Sequence, residues 1–448
     1  MAFTKEETMT TNRRGFLKGS AALGAGAMLT GSGLTEFAKA WAQSAQWKPE
    51  AGAKINLMRW KRFLQAEEDS FVKMIAAFEK ATGVKVNVTN ESFDDIQPKA
   101  SVAANTGVGP DIVWPLHSTP HLFPDKLLPL NDVADYLGKK YGGWVPVAEA
   151  YGKSKNNWIA LPIAINGGYI NYRISSMKAA GFSSFPDKTD GLLELCKALK
   201  AKGTPSGFAL GHASGDANAW IHWLLWSHGG FLVDKGDKVI INSPETAKAL
   251  EYCKALYQTF IPGTASWNDS NNNKGFLSGE LHLTSNGISI YAAAKNSGDA
   301  KQLVIAEDMD HAFYPLGPSG KPAELQLVFP MMVFKYTKFP NAAKALAAFM
   351  LEAENFNPWL EGAQGYLTHL LNAYDKNPVW DADKKRAPFR EAAKRTLPIS
   401  GLGTIGEKAA TAVADFIIVD MFANYCTGRE DLKGAIAQAE RQAKRIYR

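Results

Sequence analysis

Lys54-Ile55-Asn56-Leu57-Met58-Arg59-Trp60 alternates polar and apolar side chains, the period of a half-buried β-strand. Immediately downstream, Phe71, Met74, Ile75 and Phe78 recur at helical spacing, and Gly83 closes the helix expected over 67–81. Val84-Lys85-Val86-Asn87-Val88 alternates again. A second helix is expected near 96–105, and Gly109-Pro110-Asp111-Ile112-Val113-Trp114 reads as a third strand. Strand, helix, strand, helix, strand is the order of a parallel sheet with helices on its faces, so the fold class is α/β.

The rest of the chain continues the theme. Extended segments are expected at 158–164, 168–172, 208–210, 282–290 and 328–334. Helices are expected at 188–201, 217–227, 244–260, 273–277 and 341–353, and residues 383–448 read as mostly helical. Ser243 stands where it can cap the helix that begins at Pro244. No repeat or low-complexity linker marks a boundary, which suits two α/β domains interleaved in sequence.

Composition bounds the function classes. At 448 residues the chain is long enough for two or three domains. Its 46% hydrophobic and 21% charged residues are globular usage, against disorder. No uninterrupted apolar run reaches the roughly 18 to 20 residues of a membrane helix. A net charge of +6 is too small and dispersed to argue for nucleic acid. Cys196, Cys253 and Cys426 are too few for a disulfide scaffold and read as buried small hydrophobes, with a Cys196–Cys253 bridge left open.

The amino terminus reads as an address. Arg13-Arg14-Gly15-Phe16-Leu17-Lys18 precedes a weakly apolar Gly/Ala stretch, and Ala38-Lys39-Ala40 or Ala40-Trp41-Ala42 fits a small-residue cleavage site. The arginine pair resembles a twin-arginine signal, with Asn12 where such motifs usually carry Ser or Thr. Residues 1–42 are therefore expected to direct a folded chain through the twin-arginine machinery to the periplasm, with cleavage near 40–42.

Several stretches together resemble the family 1 extracellular solute-binding proteins of carbohydrate-type ABC importers, distantly including maltose-binding protein. They are Phe78-Glu79-Lys80-Ala81-Thr82-Gly83-Val84-Lys85-Val86, Gly109-Pro110-Asp111-Ile112-Val113 and Leu128-Pro129-Leu130-Asn131-Asp132. Leu161-Pro162 with Gly167-Gly168-Tyr169-Ile170-Asn171-Tyr172-Arg173, Phe185-Pro186-Asp187-Lys188-Thr189, and Gly275-Phe276-Leu277-Ser278-Gly279-Glu280 with Asn286-Gly287 complete the likeness. It spans about residues 54–448. The resemblance implies a two-lobed periplasmic binding protein fold of type II, each lobe a mixed sheet flanked by helices. One lobe is expected at 52–164 with 312–360, the other at 165–311 with 361–448, and a ligand cleft between them closes about a hinge. It further implies a receptor, not an enzyme, that is monomeric, needs no cofactor, and hands a small solute to permease subunits.

A sugar or polyol needs aromatic faces for its C–H surfaces and polar groups for its hydroxyls. Candidates just past strand ends are Trp60, Lys61, Arg62, Trp114 and His117. Others are Asn166 and Tyr169 at the crossover, Trp220 and Trp223 on the Trp-rich helix, Asn286 and Ser289 around Gly287, and Tyr366. Trp220, Trp223 and Trp226 also fit a buried stripe. Maltose-type relatives often carry a tryptophan two or three positions past the Asn-Gly pair; here that place holds Ser289. The basic run Arg59–Arg62 also suits an anionic ligand, and acids in the cleft would suit a polyamine.

Other chemistries find little support. Gly401-Leu402-Gly403-Thr404-Ile405-Gly406 matches a dinucleotide fingerprint in letters but lacks the preceding strand. There is no phosphate-binding G-x-x-x-x-G-K-[ST] loop, no G-x-S-x-G and no H-E-x-x-H, and Pro120 separates His117 from His121, against a helical metal pair. Asp and Glu are plentiful, so an exported carbohydrate-active enzyme, a glycosidase or lyase, is the alternative.

Overall fold

The computed structural model describes residues 31–61 and 63–448. The arginine pair and Arg62 therefore lie outside the described residues. Five strands form the larger sheet: β1 (Lys54–Trp60), β2 (Lys85–Glu91), β3 (Ile112–Val113), β6 (Leu161–Asn166) and β10 (Leu327–Val333), in the order β2-β1-β3-β10-β6. β1 runs parallel to β2 and β3, while β10 is antiparallel to β3 and β6. A second, antiparallel sheet orders β8-β7-β9 from β7 (Tyr169–Arg173), β8 (Leu283–Asn286) and β9 (Met309–Ala312). β4 (Lys153–Ser154) and β5 (Asn157–Trp158) make a small hairpin.

The chain leaves the first sheet through Gly167-Gly168 and re-enters it at β10. Residues 366–374 then strap back onto the first lobe: Thr368 pairs with Ile165, Leu371 with Trp144, and Tyr374 donates to the Leu351 carbonyl at 2.6 Å. The last helices, Ile417–Thr427 and Leu432–Ile446, pack on Pro244–Tyr257 in the second lobe.

Local chemistry explains most boundaries. The helix Gln65–Thr82 ends at Gly83, whose φ of 76° is open to glycine without steric cost. Ser243 caps Pro244–Tyr257, its hydroxyl accepting from Thr246 N at 3.2 Å. Three segments differ from expectation. Residues 208–210 form no strand. β3 is two residues long, although the flanking Asp111 and Trp114 N–H groups still donate to the Asn56 and Met58 carbonyls of β1, at 2.8 and 2.9 Å. The strand expected at 282–290 stops at Asn286, and a helix, Ser289–Asn296, begins after Gly287. Residues 407–427 reach the length and mean hydropathy, 1.3, of a spanning helix. Phe416, at φ 53°, breaks that run, and its second half is buried against the second lobe.

The helix Gly31–Ser44 contains both candidate cleavage sites and packs on the first lobe. Phe37 stacks on Phe349 at 6.0 Å, and Trp41 meets the same ring edge-on at 5.1 Å. Trp41 Nε1 donates to Glu352 at 3.1 Å. Buried Glu352 also accepts from Tyr136 and Tyr141 hydroxyls, at 2.6 and 2.5 Å, and pairs with Lys140 at 2.5 Å. A chain starting at residue 43 loses these contacts and should melt below one starting at residue 31. Trp41→Ala in the longer chain should cost about 3 kcal/mol in urea unfolding; equal stability would show that the helix is not docked.

Candidate functional site

The largest sheet ends against a cavity shared by both lobes. Phe63, Phe93, Leu327 and Asn166 line it from the first lobe, Tyr366 from the strap, and Gly215, Asp216, Asp269, Asn286 and Ser289 from the second. Phe63 stacks on Tyr366 at 5.6 Å and tilts against Phe93 at 5.3 Å, so one wall is aromatic. The opposite wall is polar. Asn286 Nδ2 donates to Asn273 Oδ1 at 2.5 Å, and Asn273 Nδ2 donates to Ser289 Oγ at 3.0 Å. Asn166, the last residue of β6, donates to the Tyr366 carbonyl at 2.5 Å. A Cβ on Gly287 would fall 2.8 Å from Asn166 Oδ1, which is why glycine stands there.

Bonds cross between the lobes. Ser214 Oγ donates to Asp94 at 3.3 Å, and His117 Nε2 lies 3.2 Å from the Ser214 carbonyl. The enclosed space is about 30 Å³, against roughly 300 Å³ or more for ordinary small-molecule sites. A space of that size does not hold a sugar.

Two carboxylates dominate the electrostatics. Asp269 accepts from the backbone N–H groups of Gly215 and Asp216, at 3.1 and 2.7 Å, at the amino end of the helix Asp216–Ser227. Asp216 accepts from Asn272 Nδ2 at 2.6 Å. Burial raises the pKa of both; the nearby Asp269 carboxylate raises that of Asp216 further, and the nearby Asp94 that of Asp269. Asp94 is itself raised by burial.

The sequence-derived candidates divide cleanly. Asn166, Asn286, Ser289 and Tyr366 line the cavity. Trp60 and Trp114 do not; both are fully buried, 5.4 Å apart, around the Arg59 guanidinium. That group lies 4.1 Å from the Phe71 ring, 4.7 Å from Trp60 and 5.1 Å from Trp114, and pairs with Glu67 at 2.6 Å. The rings house a buried cation, so their faces are already used. Trp220 and Trp223 are core residues whose indole N–H groups satisfy the carbonyls of Ala209 and Pro315, at 2.6 and 3.1 Å. Tyr169 is buried edge-on against Phe389. His117, buried and pushed down to about 4, is neutral at pH 7 and bridges the lobes beside the cavity. Lys61 is exposed, and Arg62 lies outside the described residues. The cavity residues unmarked in sequence are Phe63, Phe93, Asp216 and Asp269. Gly215-Asp216, opening a Trp-rich helix, carried a signal; Asp269 carried none, since only folding brings its loop to that helix end.

Comparison with known proteins fits this architecture. Residues 73–388 match the model of the bacterial extracellular solute-binding protein family. The chain belongs to that family. Residues 10–30 match the twin-arginine translocation signal, so this solute-binding protein is exported to the periplasm. A probable ABC transporter-binding protein of Deinococcus radiodurans is 24% identical over 253 residues, 54% of this chain and 57% of that relative's length. Solved structures share the two-lobed fold. Maltose-bound T. maritima MalE3 is 19% identical with a TM-score of 0.76, covering 88% of this chain and 100% of its own. A sugar transporter protein from Arthrobacter chlorophenolicus, bound to laminaribiose, gives 19% and 0.76 over 88% and 99%. A solute-binding protein from Agrobacterium radiobacter, in complex with ribitol, gives 17% and 0.73 over 89% and 100%.

Asp216→Asn should keep the Asn272 hydrogen bond while removing a buried charge. A carboxyl with a raised folded pKa costs nothing below its unfolded value, near 3.8, and costs more as pH rises through the interval up to the folded value. The variant should therefore melt on the order of 2 °C above the parent at pH 8 and equal to it near pH 3.5, read by a pH series of thermal melts.

Proposed function

We propose that this chain is the receptor of an ABC importer, capturing a small hydroxylated solute (a sugar, sugar derivative or polyol) between its lobes. The observation that carries the reading is the shared cavity, with Phe63, Phe93 and Tyr366 on one side and Asn166, Asn286, Ser289 and Asp216 on the other. Rings take the apolar faces of a sugar, and amides, hydroxyls and carboxylates take its hydroxyls. The lobes at 52–164 with 312–360, and at 165–311 with 361–448, close on the solute as rigid bodies, with residues 366–374 as a strap across both. The closed monomer then presents itself to permease subunits. Relatives named for maltose, laminaribiose and ribitol support a hydroxylated ligand.

The reaction-free role separates this reading from a glycosidase or lyase. In a thermal-shift screen of neutral sugars, polyols, uronates, sugar phosphates and amines, a ligand at 100 times its Kd should add about 2.7 kcal/mol of stability. The same ligand should be recovered chemically unchanged. Consumption of the ligand would overturn the receptor reading in favour of an enzyme using the Asp216–Asp269 pair.

A further inference from the structure

Resting on that reading, we infer that the solute carries a protonated amine on a hydroxylated frame, as an amino sugar or amino alcohol does. Asp216 and Asp269 reach the cavity from the second lobe, and Asp94 approaches them from the first through its bond with Ser214. No lysine or arginine among the described residues forms an ion pair with any of the three. Closing the cleft thus opposes like charges in a dry setting, where an organic cation between them offsets the cost. A metal ion does not fit: among the described residues no group of three or more His, Cys, Asp or Glu side chains is placed to hold one. A second feature points to a ligand in the same place. Tyr366 lines the cavity, is 5% exposed, and its hydroxyl makes no hydrogen bond within the described residues. It is free to meet a ligand hydroxyl while the aromatic wall of Phe63 and Phe93 covers the carbon frame. A bare polyamine would leave that hydroxyl and the rings unused.

The test is calorimetry on the exported protein with matched ligands: glucosamine, glucose and N-acetylglucosamine, the corresponding galactose series, 1-amino-1-deoxysorbitol against sorbitol, and spermidine. At least one amine should bind tenfold or more tighter than both its neutral partners, and Asp216→Asn should abolish that preference. Equal or tighter binding of the neutral partners overturns the charge assignment and leaves the receptor reading standing. Spermidine binding above every hydroxylated amine overturns the hydroxylated frame. Turnover of any compound would overturn the receptor reading itself.

A separate observation concerns the cysteines. Cys253 Sγ, on Pro244–Tyr257, lies 3.5 Å from Cys426 Sγ, on Ile417–Thr427, whereas Cys196 stands apart in contact with Ser206 and Thr259. We propose that Cys253 and Cys426 join as a disulfide after export into an oxidising compartment. The step is thiol–disulfide exchange. Cys426, the more exposed of the two, loses its proton and attacks a donor disulfide, expelling one donor thiolate; Cys253 then loses its proton, attacks the Cys426 sulfur of the mixed disulfide and expels the other, so the donor takes up the two electrons and two protons the pair loses. Periplasmic protein, denatured and alkylated without reductant, should take up one iodoacetamide, at Cys196, and reductant should lower its Tm by several degrees. The Cys253→Ser/Cys426→Ser double variant should not respond to reductant. Three alkylations in the native-source protein would overturn the bridge.

Discussion

The amino end of the helix Asp216–Ser227 is the point on which the cleft is built. Its free backbone N–H groups are satisfied by the Asp269 carboxylate, supplied from a distant loop. This anchors that loop to the Trp-rich helix and buries a charge at the same time. Asp216, one residue into the helix, then finds itself beside Asp269, and Asn272 supplies its hydrogen bond. A helix dipole and three donors stabilise part of this charge; the remainder faces the cavity. Ser214 links the lobes beside that charge, its hydroxyl donating to Asp94 and its carbonyl lying 3.2 Å from His117 Nε2.

The aromatic wall is backed by a second buried charge. Arg59 sits at the end of β1 with its guanidinium fully enclosed, and it is tolerated because Glu67 and three aromatic faces surround it. Glu67 accepts in turn from Trp359 Nε1 at 2.6 Å, tying the first helix of the lobe to the helix Ala353–Gly362. Removing one partner of such a pair leaves an uncompensated buried charge, at about 3–5 kcal/mol. Trp60, one of the rings around Arg59, meets Phe93 edge-on at 6.3 Å, and Phe93 tilts against Phe63 at 5.3 Å, so the enclosed pair backs the apolar face of the cavity through Trp60.

Much of the fold was legible in the sequence because its signals are local. The alternation of 54–60, the helical spacing of Phe71, Met74, Ile75 and Phe78, and Gly83 as a stop all depend on neighbours in the chain. Asn166 at the crossover, Asn286 and Ser289 around Gly287, and Tyr366 were legible too, as polar or aromatic groups. The tryptophans were not, because an indole beside a strand end looks the same whether it faces a ligand or encloses Arg59. Asp269 was not, because its partners lie about fifty residues away and only the fold assembles them. The helix Gly31–Ser44 shows the same limit. Small residues mark a cleavage site, yet Phe37 and Trp41 among them also suit a groove on the first lobe.

Small-angle scattering reads lobe closure itself, because lobes that part to admit a solute and close around it change the radius of gyration. The ligand-free protein should have a radius of gyration larger than that of the closed arrangement described above, and saturating ligand should bring it down to the closed value. An unchanged radius at saturation, with binding proved by calorimetry in the same sample, would contradict capture by lobe closure.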